Sequence, residues 1–131
     1  MRSGAHRAVF VYGTAQDTVN FFDSSGDDVF YGLPAYGLMN SSGGGTSQAV
    51  GFGRVNATSS AGGNDQAYLY DSPGNDSIVV GGNSTILAVP GVVTQVKGFD
   101  TVFATRTKGT DTEHVAAHDF VYQQLGGWTD V

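Results

Sequence analysis

The chain has 131 residues and a net charge of −6, from 6 Lys and Arg against 12 Asp and Glu. That length suits one domain, the acidic balance repels nucleic-acid phosphates and anionic membrane surfaces, and the lack of cysteine excludes disulfides and thiolate metal sites. Twenty glycines against three prolines, with short Val, Thr, Phe and Tyr runs cut by Gly, Asn, Asp and Ser, predict many short strands and tight turns, not a helix bundle.

Residues 1–7 lack the apolar core of a signal peptide, and no apolar run is long enough to insert in a membrane. The first predicted strand is Ala8–Tyr12. A second follows in the segment DTVNFFDSSGDD at 17–28, where Val19 and Phe21 share a face. Leu38-Met39 lies in a looser tail, and NSSGGGTS at 40–47 reads as a flexible surface loop; without a following Lys-Ser/Thr it is no phosphate cradle. Next come Gly51-Phe52-Gly53-Arg54-Val55 and the segment DQAYLYDSPGND at 65–76, with Ala67 and Leu69 sharing a face. Further strands are predicted at 77–80, 85–89, 92–96 and 101–105, and EHVAAHD at 113–119 carries Val115 and Ala117 in the same alternation. Trp128, after two glycines, reads as a cap on the last coil.

These segments are copies of one unit. Asp17, Phe22, Asp23, Ser24, Gly26 and Asp28 recur 48 residues later as Asp65, Tyr70, Asp71, Ser72, Gly74 and Asp76. A worn third copy places Glu113, His118 and Asp119 under Asp65, Tyr70 and Asp71. Between them Gly51-Phe52 recurs as Gly98-Phe99 at an offset of 47, which makes both phenylalanines core candidates. We read 1–131 as a single repeat domain: a partial repeat at 1–16, repeats at 17–64 and 65–112, and a degenerate copy with cap at 113–131. Tandem units of several short strands predict an all-β fold, a parallel β-solenoid of five or six coils with Val19, Ala67 and Val115 in one internal column. An antiparallel β-sandwich is the alternative.

The acids sit at strand ends. Asp17, Asp23, Asp27, Asp28, Asp65, Asp71, Asn75 and Asp76 are the candidate metal ligands, since stacked carboxylates repel and Ca²⁺ takes six to eight oxygens from Gly-turned loops. Turn capping by Asp and Asn needs no metal and is the competing explanation. Gly26-Asp27-Asp28-Val29-Phe30, Gly63-Asn64-Asp65-Gln66-Ala67 and Gly74-Asn75-Asp76-Ser77-Ile78 resemble half of the nonapeptide of hemolysin-type (RTX) calcium-binding repeats. The resemblance implies a parallel β-roll with calcium between successive turns, and an extracellular or cell-surface bacterial protein. The opening Gly-Gly-x-Gly is incomplete, and the aspartates are spaced by 11 where the family repeats every nine. The larger unit, with Asp-x-Ala-x-Leu-Tyr-Asp-Ser-x-Gly-x-Asp, is similar to repeats of planctomycete-type bacterial surface proteins.

His114 and His118 lie four apart, but the repeat register puts them on a strand, about 13 Å apart, so they are not a zinc pair. No Gly-x-Ser-x-Gly nucleophile motif occurs. The acids recur in register, whereas catalysis needs one asymmetric site. The expected function is therefore a non-catalytic, calcium-stabilised structural module: a stiff spacer, an adhesive surface or an end-to-end assembly unit beside neighbouring repeats. Two alternatives stay open. Tyr31, Tyr68 and Tyr70 are a candidate ladder for a glycan or surface-protein partner. Polysaccharide cleavage on a β-helix would need a basic residue near a cation, for which Arg54, Lys97, Arg106 and Lys108 are available.

Overall fold

Side chains that alternate between apolar and polar make strands with one buried face, and the computed structural model of the chain is built of such strands. It describes residues 8–42, 45–60, 62–126 and 128–130. The leader reading of residues 1–7 and two glycines of the predicted loop, Gly43 and Gly44, lie outside the described residues. Fourteen strands follow one another with no helix among the described residues. They are β1 (Ala8–Tyr12), β2 (Thr18–Phe22), β3 (Val29–Gly32), β4 (Tyr36–Asn40), β5 (Thr46–Val50), β6 (Arg54–Thr58) and β7 (Gln66–Tyr70). The second half holds β8 (Ser77–Gly82), β9 (Ser84–Val89), β10 (Val92–Lys97), β11 (Thr101–Thr105), β12 (Thr112–His118), β13 (Val121–Leu125) and β14 (Thr129–Asp130).

The strands form two sheets of seven, β1-β5-β4-β3-β7-β11-β13 and β14-β12-β8-β9-β10-β6-β2. Eight of the twelve pairings are parallel, joining strands of successive windings. The four antiparallel pairings belong to two meanders, β3-β4-β5 in the first sheet and β8-β9-β10 in the second. The fold is thus a parallel β-solenoid, and not the antiparallel sandwich. It makes about three turns, where five or six coils were expected. The difference lies in the meanders: β4, β5, β9 and β10 have the same alternation as coil strands but double back within one sheet.

The expected column of Val19, Ala67 and Val115 does not form. Val19 pairs with Val55 and through it with Thr94 in the second sheet. Ala67 lies between Phe30 and Val102 in the first. Val115 faces Val80 across β12 and β8 and is 40% exposed. The cause is topological. From β2 to its repeat equivalent β7 the chain crosses between the sheets three times. An odd number of crossings sets each copy in the opposite sheet from the one before, so equivalent residues face one another across the core.

That core is one cluster between the sheets, with Phe30, Ala67, Leu69, Val102 and Ala104 from the first and Phe21, Val55, Ile78, Leu87 and Val96 from the second. Phe30 contacts Phe21 and Phe99 at centroid distances of 5.4 and 6.4 Å. Phe99 is buried and Phe52 packs against the cluster, as their recurrence predicted. Trp128 is buried and donates its Nε1–H to the Ala104 carbonyl at 3.3 Å, covering the first sheet's later strands. At the other end, among the described residues, no strand covers β1 and β2. Val9 and Val11 of β1 are 49% and 43% exposed, and with Val19, Phe21 and Met39 they line an apolar mouth.

Candidate metal centres

The chain passes from sheet to sheet through Gly-x-Asp corners. Gly63 and Gly109 both have φ of +85°, a conformation that residues with a Cβ rarely adopt. A Cβ at either would also overlap a carbonyl oxygen of the next winding, that of Gly26 or Gly74. The corners therefore nest backbone on backbone. In each nest an aspartate spans the windings: the Asp28 N–H donates to Asp65 Oδ1 at 2.7 Å, and the Asp76 N–H donates to Asp111 Oδ1 at 2.8 Å. The first column continues, with the Asp65 N–H donating to Asp100 Oδ2 at 2.8 Å.

Each nest gathers three carboxylates. Asp23, Asp28 and Asp65 form one triad and Asp71, Asp76 and Asp111 the other, each offering oxygens that all lie within 4.8 Å of one another. Asp23 closes β2 and Asp28 opens β3, while Asp65 comes from the corner after β6. Asp71 and Asp76 hold the same places around β7 and β8, and Asp111 comes from the corner after β11. All except Asp23, which is half-buried, are at most 7% exposed.

Backbone and hydroxyl donors hold the carboxylates in place. Asp28 accepts from the Ser24 N–H, from Ser24 Oγ–H at 2.6 Å and from the Ser42 N–H at 2.9 Å. Asp76 accepts from the Ser72 N–H and hydroxyl, both at 2.7 Å. Asp71 accepts from the Thr107 and Lys108 N–H groups at 2.8 and 3.1 Å and from the Thr107 hydroxyl at 2.9 Å. The Ser59 hydroxyl contacts Asp23 Oδ2 at 3.2 Å and also Asp65 Oδ2.

Crowding of like charge shows in the acidities. Burial pushes the Asp65 carboxyl up, and the adjacent Asp23 adds to it against the hydrogen bonds of Ser59 and Asp28. Burial likewise raises Asp111, reinforced by Asp71 and Asp76. Burial also acts on Asp71, but the Thr107 and Lys108 N–H groups outweigh it and its carboxyl falls below the ordinary range. Each triad thus holds one acid that resists ionisation. Two things relieve such a cluster, a shared proton or a cation.

The geometry fits a hard cation. Two ligands on opposite sides of a Ca²⁺ ion at about 2.4 Å lie about 4.8 Å apart, and the oxygens of each triad lie no farther apart than that. Ser24 and Ser59 at the first triad, and Ser72 and Thr107 at the second, add hydroxyl oxygens. The donor set is all oxygen, which suits Ca²⁺ or Mg²⁺ over zinc or copper.

Of the eight candidate ligands, Asp23, Asp28, Asp65, Asp71 and Asp76 are brought into the triads. Asp17 instead caps its own turn, accepting from the Thr14 N–H at 2.8 Å and hydroxyl at 3.0 Å. Asp27 and Asn75 face outward and accept the N–H of the next winding, from Asn64 at 2.7 Å and Thr110 at 2.9 Å. Asp111 was not among the candidates, although Gly109-Thr110-Asp111 is a further Gly-x-Asp triplet. The repeat register puts Glu113, 48 residues after Asp65, in that place, whereas the offset has fallen to 47 by β11 and the corner after it is one residue shorter again, so Asp111 takes the position. Glu113 points inward and accepts from Tyr122 Oη–H at 3.1 Å and Gln124 Nε2–H at 3.0 Å.

Tyr31 and Tyr68 stack with centroids 5.4 Å apart and planes at 16°, and Tyr68 stacks on Phe103 at 4.7 Å and 11°. The ladder runs across β3, β7 and β11, and Tyr70 is not a rung of it. The ring faces are turned toward one another, leaving ring edges outermost, which is not the flat platform a sugar stacks on. His114 and His118 both lie on β12, and His118 packs on Phe120 at 5.0 Å. Comparison with protein-family models, with curated proteins and with solved structures returned no match to the chain.

Proposed function

We propose that this chain is a non-catalytic structural repeat module of an extracellular or cell-surface protein, stiffened by calcium at its acidic corners. The observation that carries the reading is the convergence of carboxylates from consecutive windings, Asp28 with Asp65 and Asp76 with Asp111, in buried all-oxygen triads. A cation there would tie one winding to the next, which is what a stiff spacer requires. Burial under the corner favours a structural over a catalytic use of these acids, since a substrate would need access to them.

Association end to end belongs to the same reading. Among the described residues, β1 and β2 at one end and β13 and β14 at the other each have one edge without a partner, and each pairs on its other edge in the parallel manner. Such edges template further strands.

Thermal unfolding followed by far-UV circular dichroism, in EDTA and across a calcium titration, tests the calcium reading. A ligand specific to the folded state at about 100 times its Kd adds about 2.7 kcal/mol per site. The midpoint is expected to rise by several degrees with Ca²⁺ and by much less with Mg²⁺. An identical melt in EDTA and in millimolar calcium would sink the proposal and leave the triads as proton-sharing caps.

A further inference from the structure

The two triads are repeat equivalents, yet they differ in one charged side chain. The Asp23 N–H donates to the Thr58 carbonyl at 3.1 Å, and the Asp71 N–H to the Thr105 carbonyl at 3.0 Å. Two residues further, the Ser60 N–H donates to Asp23 Oδ1 at 2.9 Å, and the Thr107 N–H to Asp71 Oδ2 at 2.8 Å. Between these matched bonds stands Ser59 at the first triad and Arg106 at the second. The same backbone frame thus offers a neutral hydroxyl to one set of carboxylates and a guanidinium to the other.

Arg106 Nε lies 3.4 Å from Asp111 Oδ2. Neither atom makes a hydrogen bond, and both are buried. Asp111 itself is 1% exposed. A second guanidinium nitrogen of Arg106 donates to the Gly109 carbonyl, which anchors the side chain over the corner. Asp111 Oδ2 makes no hydrogen bond, and its neutralising positive charge comes from the ion pair with Arg106. In the second triad a side chain supplies that charge. In the first, Ser59 supplies none.

We infer that Arg106 is a built-in counter-ion that takes the cation's place at the second triad, and that the first triad is the one that binds a divalent cation. The inference rests on the calcium reading for the first triad, but its charge logic stands apart from it. A tethered guanidinium meets the acids at no concentration cost, so the second corner is locked at all calcium levels. The first corner is locked only when the ion is present. The residue at position 59 or 106 decides which kind of corner a repeat has.

Equilibrium dialysis of the whole chain against calcium chloride counts the ions. The parent chain is expected to hold one ion, Arg106→Ser two, and Ser59→Arg none. Far-UV circular dichroism establishes that each variant keeps its β-type spectrum. Two ions of similar affinity in the parent chain, or one ion still in Arg106→Ser, overturns the inference while leaving the calcium reading intact. Melting in EDTA separates the two ideas. Ser59→Arg should raise the midpoint without any metal, and Arg106→Ser should lower it. If no variant binds calcium but both shifts appear, the counter-ion role stands and the calcium reading fails. If neither shift appears, the counter-ion role fails whatever the ion count. Should Arg106→Ser not fold in EDTA, Ser59→Arg alone decides.

Discussion

The backbone N–H of Asp28 reaches Oδ1 of Asp65 at 2.7 Å across 37 residues of chain. One carboxylate thereby performs two tasks: it accepts a hydrogen bond that fixes winding to winding, and it carries a charge that the site resists. Substitutions can separate these. Asp65→Asn keeps an acceptor and removes the charge, so the metal-free protein should melt higher than the parent and lose its calcium response. Asp65→Ala removes both and leaves the buried Asp28 N–H unsatisfied, at a cost of about 1–3 kcal/mol. Chemical denaturation in EDTA with and without calcium reads both effects.

Acidity gives a second test, whose sign follows from the shifts. The Asp65 and Asp111 carboxyls are raised in the folded chain above the ordinary 3.8. The folded state then binds more protons, and stability is lost as pH rises through their folded values. Asp71 is lowered, so its contribution is present above 3.8 and is lost as pH falls through its folded value. In EDTA the melting midpoint should climb as pH drops through the raised folded values of Asp65 and Asp111 toward the ordinary carboxylate range, and decline again below that range. Asp65→Asn should reduce the climb. A midpoint that falls steadily from neutral pH would contradict the crowding of these acids.

Corner nesting predicts a sharp contrast between glycines. Gly63→Ala puts a Cβ at positive φ and against the Gly26 carbonyl, where something has to move. The strained backbone alone costs about 1–3 kcal/mol, and the loss should appear in thermal melts with the calcium response weakened. Gly45→Ala meets nothing within 4 Å and has no positive φ, so it should leave the midpoint close to that of the parent.

The aromatic ladder should behave as packing. Tyr68→Ala removes the middle ring between Tyr31 and Phe103 and forfeits two stacked pairs, each worth about 0.5–1.5 kcal/mol beyond area burial. Tyr68→Phe loses only the hydroxyl bond to Gln66 at 3.1 Å and should be nearly neutral. A glycan array that depends on Tyr68 in the folded protein would instead favour the carbohydrate alternative.

End-to-end growth should depend on β1. Val11 faces the open mouth of the core at 43% exposure. Val11→Lys places a charge on the inward face of an edge strand, a device that blocks edge pairing. Light scattering across concentrations should show the parent chain associating and the variant remaining monomeric. A parent chain that is monomeric throughout would remove assembly from the proposed function.

Most strands were legible because their signal is local. Val19 and Phe21, Ala67 and Leu69, and the predicted strand at 101–105 alternate within a few residues, and the side-chain period does not depend on the partner strand. The same independence hid the meanders, since β9 and β10 read alike whether their neighbour is parallel or antiparallel. It also hid the change of sheet between copies, because alternation records that a residue points inward and not from which side. The site was legible to the extent that it follows the repeat. Asp23 and Asp71, and Asp28 and Asp76, keep the 48-residue offset, whereas Asp111 departs from it where a corner shortens. Asp17, Asp27 and Asn75 have the right chemistry in the wrong direction, and direction is settled by the turn, not by spacing.

The three crossings per repeat make the surface follow a longer rule than the sequence. A feature carried by every copy, such as an acidic corner, emerges on one rim and then on the opposite rim. Along an array of such units each rim would be marked only by alternate copies, so its decoration would recur at twice the sequence period. Tightening of every corner, by ion or by guanidinium, would then pull on both rims alike and leave the rod straight, whereas a change confined to odd or even copies would act on one rim and bend it.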